Sequence, residues 1–182
     1  KETFISDKSI LEKIPQNCSW INHNNYLYIS GGEINGKISN SLVRYDPSNN
    51  KLDLLPTIPD KKEYHSMCSD SENLYLVGGL TKTVLKYNVN NERWTSFKNT
   101  LNAQRNNPIC LVFDNDLYIF FGKDLYGGFV NSYEKTSVGG RGQFVMYNPR
   151  ETINLIYSAT LTTSSNNILF FGGHDEKGSI ST

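Results

Sequence analysis

Leu74-Tyr75-Leu76-Val77-Gly78-Gly79 is a short apolar run, rich in residues that favour extended backbone, that stops on two glycines. The pattern returns as Tyr26-Leu27-Tyr28-Ile29-Ser30-Gly31-Gly32, as Leu117-Tyr118-Ile119-Phe120-Phe121-Gly122-Lys123 and as Ile168-Leu169-Phe170-Phe171-Gly172-Gly173. Taking Gly31, Gly78, Gly122 and Gly172 as marks, the repeats stand about 44 to 50 residues apart, too far for a two-helix repeat and long enough for four strands. Each run follows a pair of turn-forming residues, Asn24-Asn25, Glu72-Asn73, Asn115-Asp116 and Asn166-Asn167, and each turn is preceded by another short strand. Those first strands are read at Cys18–Ile21, Ser66–Ser69, Ile109–Phe113 and Ala159–Thr162.

Working outward, a third strand is read at Ser41–Asp46, Thr83–Asn88 and Gln143–Asn148, and a fourth near Leu52–Leu55, Arg93–Phe97 and Ile153–Tyr157. Asp46-Pro47-Ser48-Asn49-Asn50, Asn88-Val89-Asn90-Asn91 and Asn148-Pro149-Arg150 turn the chain between them. Apolar spacing is near two throughout, so the expected fold is all-β, made of four-stranded antiparallel sheets.

This arrangement resembles the kelch repeat: a strand ending in Gly-Gly, a Tyr-Asp-Pro turn, then a Trp. Gly31-Gly32 with Tyr45-Asp46-Pro47 matches its first two parts, with Leu52 where the Trp would be; Gly78-Gly79, Tyr87-Asn88 and Trp94 match more completely; and Tyr147-Asn148-Pro149 precedes Gly172-Gly173. Arg105, and Tyr64-His65, fall where the family often carries Arg and His. The resemblance implies a kelch-type β-propeller, incomplete in this chain, spanning residues 1–182 with about four blades visible. It further implies that Ile10–Pro15 is a fourth strand and its exit, and that a complete ring has five to seven blades. The stretch 123–142, with Gly127-Gly128 and Gly139-Gly140, reads as a glycine-rich long loop, an insertion or a decayed strand.

Composition narrows the function. The 182 residues are 37% hydrophobic and 20% charged, with 18 basic residues against 18 acidic ones, the profile of a soluble globular protein. Zero formal net charge supplies no field for nucleic acid or an anionic membrane. Apolar runs fall far short of the roughly 20 residues that span a bilayer, and Lys1–Lys8 lacks a signal-like apolar core. Cys18, Cys68 and Cys110 are odd in number, widely spaced and placed alike in three repeats. They read as buried structural cysteines in a reducing compartment, and the expected location is cytoplasmic. Asn17-Cys18-Ser19 fits a glycosylation tripeptide but borders an expected strand.

No catalytic motif emerges. His23, His65 and His174 sit in different repeats, Gly139-Gly140-Arg141-Gly142 lacks the lysine-serine pair of a phosphate loop, and no G-x-S-x-G is present. No metal, cofactor or enzymatic activity is expected, although some propellers resembling this one are oxidases. The expected function is protein–protein interaction through blade loops. The loops after each Gly-Gly, at Glu33–Asn40, Leu80–Lys82 and Lys123–Gly142, are expected on one face, and the blade-to-blade loops Pro59–Tyr64 and Asn102–Asn107 on the other. Tyr64, His65, Arg105 and Asn106 are the expected partner-binding residues, with Arg105 foremost among them, although packing or hydrogen bonding within the blade is the role more expected of Arg105 itself. Trp20 and Trp94 are expected to fill wedges between blades. The family resemblance implies either a substrate adaptor of a cullin-based ubiquitin ligase, joined through a domain outside this chain, or a scaffold within a larger assembly.

Overall fold

The computed structural model describes residues 14–79, 81–165 and 167–179. The expected strand at Ile10–Pro15 therefore lies largely outside the described residues, as do Leu80 of one expected loop and Asn166 of one expected turn. The chain forms two compact units, Lys1–Glu63 and Tyr64–Thr182.

In the first unit, β1 (Ser19–His23), β2 (Tyr26–Ser30), β5 (Leu42–Asp46) and β6 (Lys51–Leu55) form one antiparallel sheet in that order, while β3 (Glu33–Ile34) and β4 (Lys37–Ile38) form a small hairpin between β2 and β5. Asn24 and Asn25 join β1 to β2 with φ of 50° and 64°. That left-handed pair matches the twist of the strands it connects, and asparagine tolerates it better than most side chains. The turn into β6 is held by Asp46, whose carboxylate accepts from the Ser48 amide at 2.9 Å and from Asn49 Nδ2 at 3.0 Å. Tyr28, Leu42, Leu55 and Ile58 are buried.

The second unit repeats this plan. One blade joins β7 (His65–Ser69), β8 (Asn73–Gly78), β9 (Leu85–Asn88) and β10 (Arg93–Ser96); the next joins β11 (Ile109–Phe113), β12 (Asp116–Phe120), β13 (Tyr133–Ser137) and β14 (Val145–Tyr147). A two-stranded sheet of β15 (Ala159–Thr162) and β16 (Ile168–Phe171) follows, then the hairpin β17 (His174–Asp175) and β18 (Gly178–Ser179). Side chains alternate across each strand, so one blade face packs on the next. Cys68, Tyr75 and Val77 meet Cys110, Leu117 and Ile119 in one core layer, with Phe97 and Phe144 at its edge. Ile109, Phe120 and Phe121 form a second layer with Ile168 and Phe170.

Two strand assignments in the β11–β14 blade differ from the sequence reading. Its third strand is Tyr133–Ser137, within the glycine-rich 123–142 stretch, and Val145–Tyr147 is its fourth. Tyr147 thus stacks on Tyr133 at 4.9 Å from the outer strand, whereas Tyr45 and Tyr87 lie in third strands. Strand β13 hides from an apolar count because its buried positions are Glu134 and Thr136. The segment Ile153–Tyr157 makes no strand and contributes one bridge, Ile156 to His174.

The glycine marks also shift by one position in this blade. Gly32, Gly122 and Gly173 each precede a residue that bridges to the entry segment of its own sheet, at Gln16, Asn106 and Ile156. Gly122 is therefore the second member of its pair, and Phe121 takes the first place with φ of 52°, beside 59° at Gly31 and 61° at Gly172. At Gly122 itself φ is +99°, and a Cβ would stand 2.7 Å from the Asn106 carbonyl oxygen. Both conformation and space exclude a side chain there. Gly122→Ala is expected to lower the stability of the second unit by about 1–3 kcal/mol, read as an earlier urea midpoint; an unchanged midpoint would show that the entry segment yields freely.

Candidate functional site

In each four-stranded sheet the connection from the second strand to the third, and the connection that leaves the fourth strand, are separated by two antiparallel strands and the single turn between them, so both emerge at one end. Backbone pairs fix this. Asn106 N donates to Lys123 O at 2.7 Å and Lys123 N returns the bond to Asn106 O at 2.8 Å. Gln16 with Glu33, and Ile156 with His174, make the same exchange. These two loop classes, expected on opposite faces, share one end because an even number of antiparallel strands lies between them.

The four residues expected to bind a partner meet along this end but face different ways. Tyr64 is half-buried at φ 53°, and its carbonyl accepts from the Asn107 amide at 2.7 Å. Asn106 is half-buried, while His65 opens β7 as a buried residue paired with Gly78. Arg105 is fully buried, so it does not offer its guanidinium to a partner. Its Nη1 donates to the carbonyls of Phe121 and Ser132, both at 2.8 Å, and its Nη2 donates to Ser132 Oγ at 2.9 Å and to Glu134 at 3.0 Å. The Glu134 carboxylate also accepts from the Asn102 amide at 2.6 Å, from Asn102 Nδ2 at 2.9 Å and from the Ala103 amide at 3.2 Å. Burial lowers the proton affinity of Arg105 and Glu134 partly restores it; arginine remains charged in any case. Arg105 is thus a clamp that ties the blade-to-blade loop to β13.

The exposed part of this end is the loop after Gly122. Asp124 organises it: its Oδ1 accepts from the amides of Tyr126 at 2.9 Å and Gly128 at 2.8 Å, and its own amide donates to Gly128 O at 2.8 Å. Lys123 lies 4.8 Å above the Phe129 ring at the base. Leu125 and Tyr126 project from the tip, 60% and 93% exposed. Asn131 Oδ1 accepts from the Ile153 amide at 2.8 Å and links this loop to a neighbouring cleft of about 370 Å³ between residues 152–155 and Asp175, Glu176 and Lys177. Asn154 donates to Glu176 across that cleft at 2.7 Å. The sequence signal for the tip was available, since an Asp followed four residues later by Gly and enclosing two large side chains is an Asx-turn pattern.

Other singled-out residues sit elsewhere. Cys68 and Cys110 are buried in the layer between blades and Cys18 is half-buried; all three are free thiols. Burial, then the neighbouring Cys110, raises Cys68 well above the usual thiol value, and burial raises Cys18. Trp94 packs on Tyr87 at 4.9 Å, but Trp20 is 67% exposed on the β1 face rather than wedged. His174 meets Tyr157 edge-on at 6.2 Å. Among the described residues no three His, Cys, Asp or Glu side chains stand close enough to share a metal ion.

Residues 17–55 match the family model described as Kelch motif. The solved structure titled "Structure of YjhT" superposes with a TM-score of 0.72 at 13% identity, over 89% of this chain and 59% of that one. The chain therefore spans less than two thirds of the length of the propeller it matches.

Two measurements follow from this geometry. Arg105→Ala is expected to cost about 3–5 kcal/mol in denaturant unfolding, because it strands a buried carboxylate. The same change in a Glu134→Gln background is expected to cost less; equal costs would mean that the pair is not coupled. Native protein is expected to leave Cys68 and Cys110 unlabelled by iodoacetamide until denaturant is added, as the thiolate is the reactive form; rapid native labelling of either would contradict their burial.

Proposed function

We propose, on the premise that this chain is a segment of a kelch-type β-propeller, that it is a protein–protein interaction module and that its partner is received on the loop end carrying the Lys123–Val130 loop. The observation that carries this reading is Tyr126, 93% exposed at the tip of a loop pinned by Asp124. A large aromatic held on a rigid turn gives contact area with little entropy lost on binding, the usual profile of an interface anchor. Leu125 beside it adds apolar area, and the adjoining cleft gives a partner chain somewhere to lie. Loops fixed to a stiff sheet suit recognition better than isolated flexible ones.

The finer reading is recruitment of substrates to a cullin-based ubiquitin ligase, with the ligase engaged by a domain outside these residues. It rests on the kelch-type fold, which ligase adaptors share, and on the exposed loop end. The competing reading is a scaffold held within a stable assembly.

Affinity capture from cells with quantitative mass spectrometry tests both levels. The wild type is compared with a Leu125→Ala/Tyr126→Ala variant and with Asn90→Lys on a turn at the opposite end of a sheet. The principal partner is expected to fall by roughly tenfold or more with the loop variant and to persist with Asn90→Lys. Equal capture by all three would remove the loop end as the partner site. Co-capture of a cullin, with a partner that accumulates when the proteasome is blocked, supports the adaptor; a stable assembly free of ligase components replaces it with the scaffold.

A further inference from the structure

The exposed tip after Gly122 is shaped by bonds between its own residues. The Asp124 carbonyl accepts from the Gly127 amide at 3.2 Å while the Asp124 amide donates to Gly128 O at 2.8 Å, the pattern of a tight turn closed by a glycine bulge. Gly127 supplies the left-handed residue that this pattern needs, at φ of +83°. Gly128 has no room for a side chain, since a Cβ would stand 3.0 Å from Asp124 Oδ2. Below the turn Val130 N donates to Gly122 O at 2.9 Å, and Lys123 and Phe129 form a backbone bridge beneath their cation–ring contact. The segment Gly122–Val130 is therefore a miniature hairpin that closes on itself.

Leu125 and Tyr126 are the two central residues of that turn, so they project together, 60% and 93% exposed. The segment carries one charge of each sign, Lys123 and Asp124. Lys123 leans over Phe129 at the base, and one oxygen of the Asp124 carboxylate is engaged by the amides of Tyr126 and Gly128. What the tip offers a partner is apolar surface without net charge. A flat surface would cover one side of a ring this exposed, whereas a concave one takes both faces out of water, and the gain scales with the apolar area removed. Interface anchors accordingly sit in pockets.

We propose that this miniature hairpin is a preformed knob, and that the partner is a protein that receives it in an apolar pocket deep enough to enclose Leu125 and Tyr126 together. The inference rests on the loop-end reading above and adds the shape and chemistry of the partner: this chain supplies the projection, and the partner supplies the cavity. Asp124 is then a positioning residue. It touches no partner atom, and it acts by holding the turn in its bound form before the partner arrives, which spares the ordering of a loop on binding.

Quantitative capture with the intact chain tests this, circular dichroism confirming that each variant is folded. Tyr126→Phe keeps the ring and is expected to lose far less of the principal partner than Tyr126→Ala. Asp124→Ala leaves both tip side chains in place but frees the turn, and is expected to lower capture by roughly tenfold or more. Asp124→Asn, whose side-chain oxygen accepts the same two amides, is expected to restore it. If Leu125→Ala/Tyr126→Ala leaves capture unchanged, the loop-end reading falls and this inference with it. If that double variant loses the partner while Asp124→Ala keeps it, the loop end stands and the preformed knob is overturned. Equal losses with Tyr126→Phe and Tyr126→Ala, or no restoration by Asp124→Asn, overturn it too, since the partner would then read a hydroxyl or a charge. Tyr126→p-benzoylphenylalanine, irradiated in cells, locates the pocket. Cross-links are expected to converge on neighbouring apolar residues of one protein; links scattered over a charged surface or over many proteins overturn the proposal.

Discussion

The β11–β14 blade depends on one buried ion pair. Glu134 occupies an inward position of the third strand, where an apolar residue would ordinarily sit, and a lone carboxylate there would be prohibitively costly. Arg105 reaches it from the incoming loop, and the amides of Asn102 and Ala103 complete its shell. The same guanidinium bonds the carbonyls of Phe121 and Ser132, so it closes the gap where β12 leaves the sheet and β13 enters. Replacing both charges with well-packed apolar residues need not weaken the fold. What such a replacement would lose is the coupling that makes the loop path follow the strand register.

That coupling also explains which parts of the fold were legible in the sequence. The strands around Leu74–Val77 and Leu117–Phe120 announce themselves, because their buried positions are filled by large apolar side chains. The hairpins announce themselves through Asn24-Asn25 and Asn115. Strand β13 does not, since Glu134 and Thr136 read as surface residues until the clamp is seen. The next apolar run, Val145–Tyr147, therefore takes the place of the third strand in the sequence pattern and displaces the fourth onto Ile153–Tyr157. Phe121 caused the smaller slip, holding a left-handed backbone that the pattern reserves for glycine, at roughly 1–2 kcal/mol of steric cost. Its burial against Phe120 and Phe170 offsets that cost.

The candidate site was legible in kind more than in detail. The most conspicuous cation in the blade-to-blade loops, Arg105, faces inward. Arg105 stood where a family pattern puts an arginine, and a pattern of that sort records structural need as readily as recognition. Tyr126, exposed at its loop tip, lies between Asp124 and Gly127 in a glycine-rich stretch, where an aromatic carries no strand or core signal. Charge in a loop is ambiguous from sequence, because only the paired strand tells whether a carboxylate waits beneath it.

The asparagines at the corners carry a consequence for how the chain folds. Among the described residues, seven of the twelve non-glycine positions with positive φ are asparagine. Corners such as Asn24-Asn25 set strand twist and register from within their own few residues. Each sheet also joins strands that are close in sequence, in simple up-and-down order. Most backbone pairing is therefore local, and the entropy of closing long loops is paid late, when finished sheets meet face to face. The natural unit of folding is the hairpin, and a growing chain emerging from the ribosome already holds what it needs to form one.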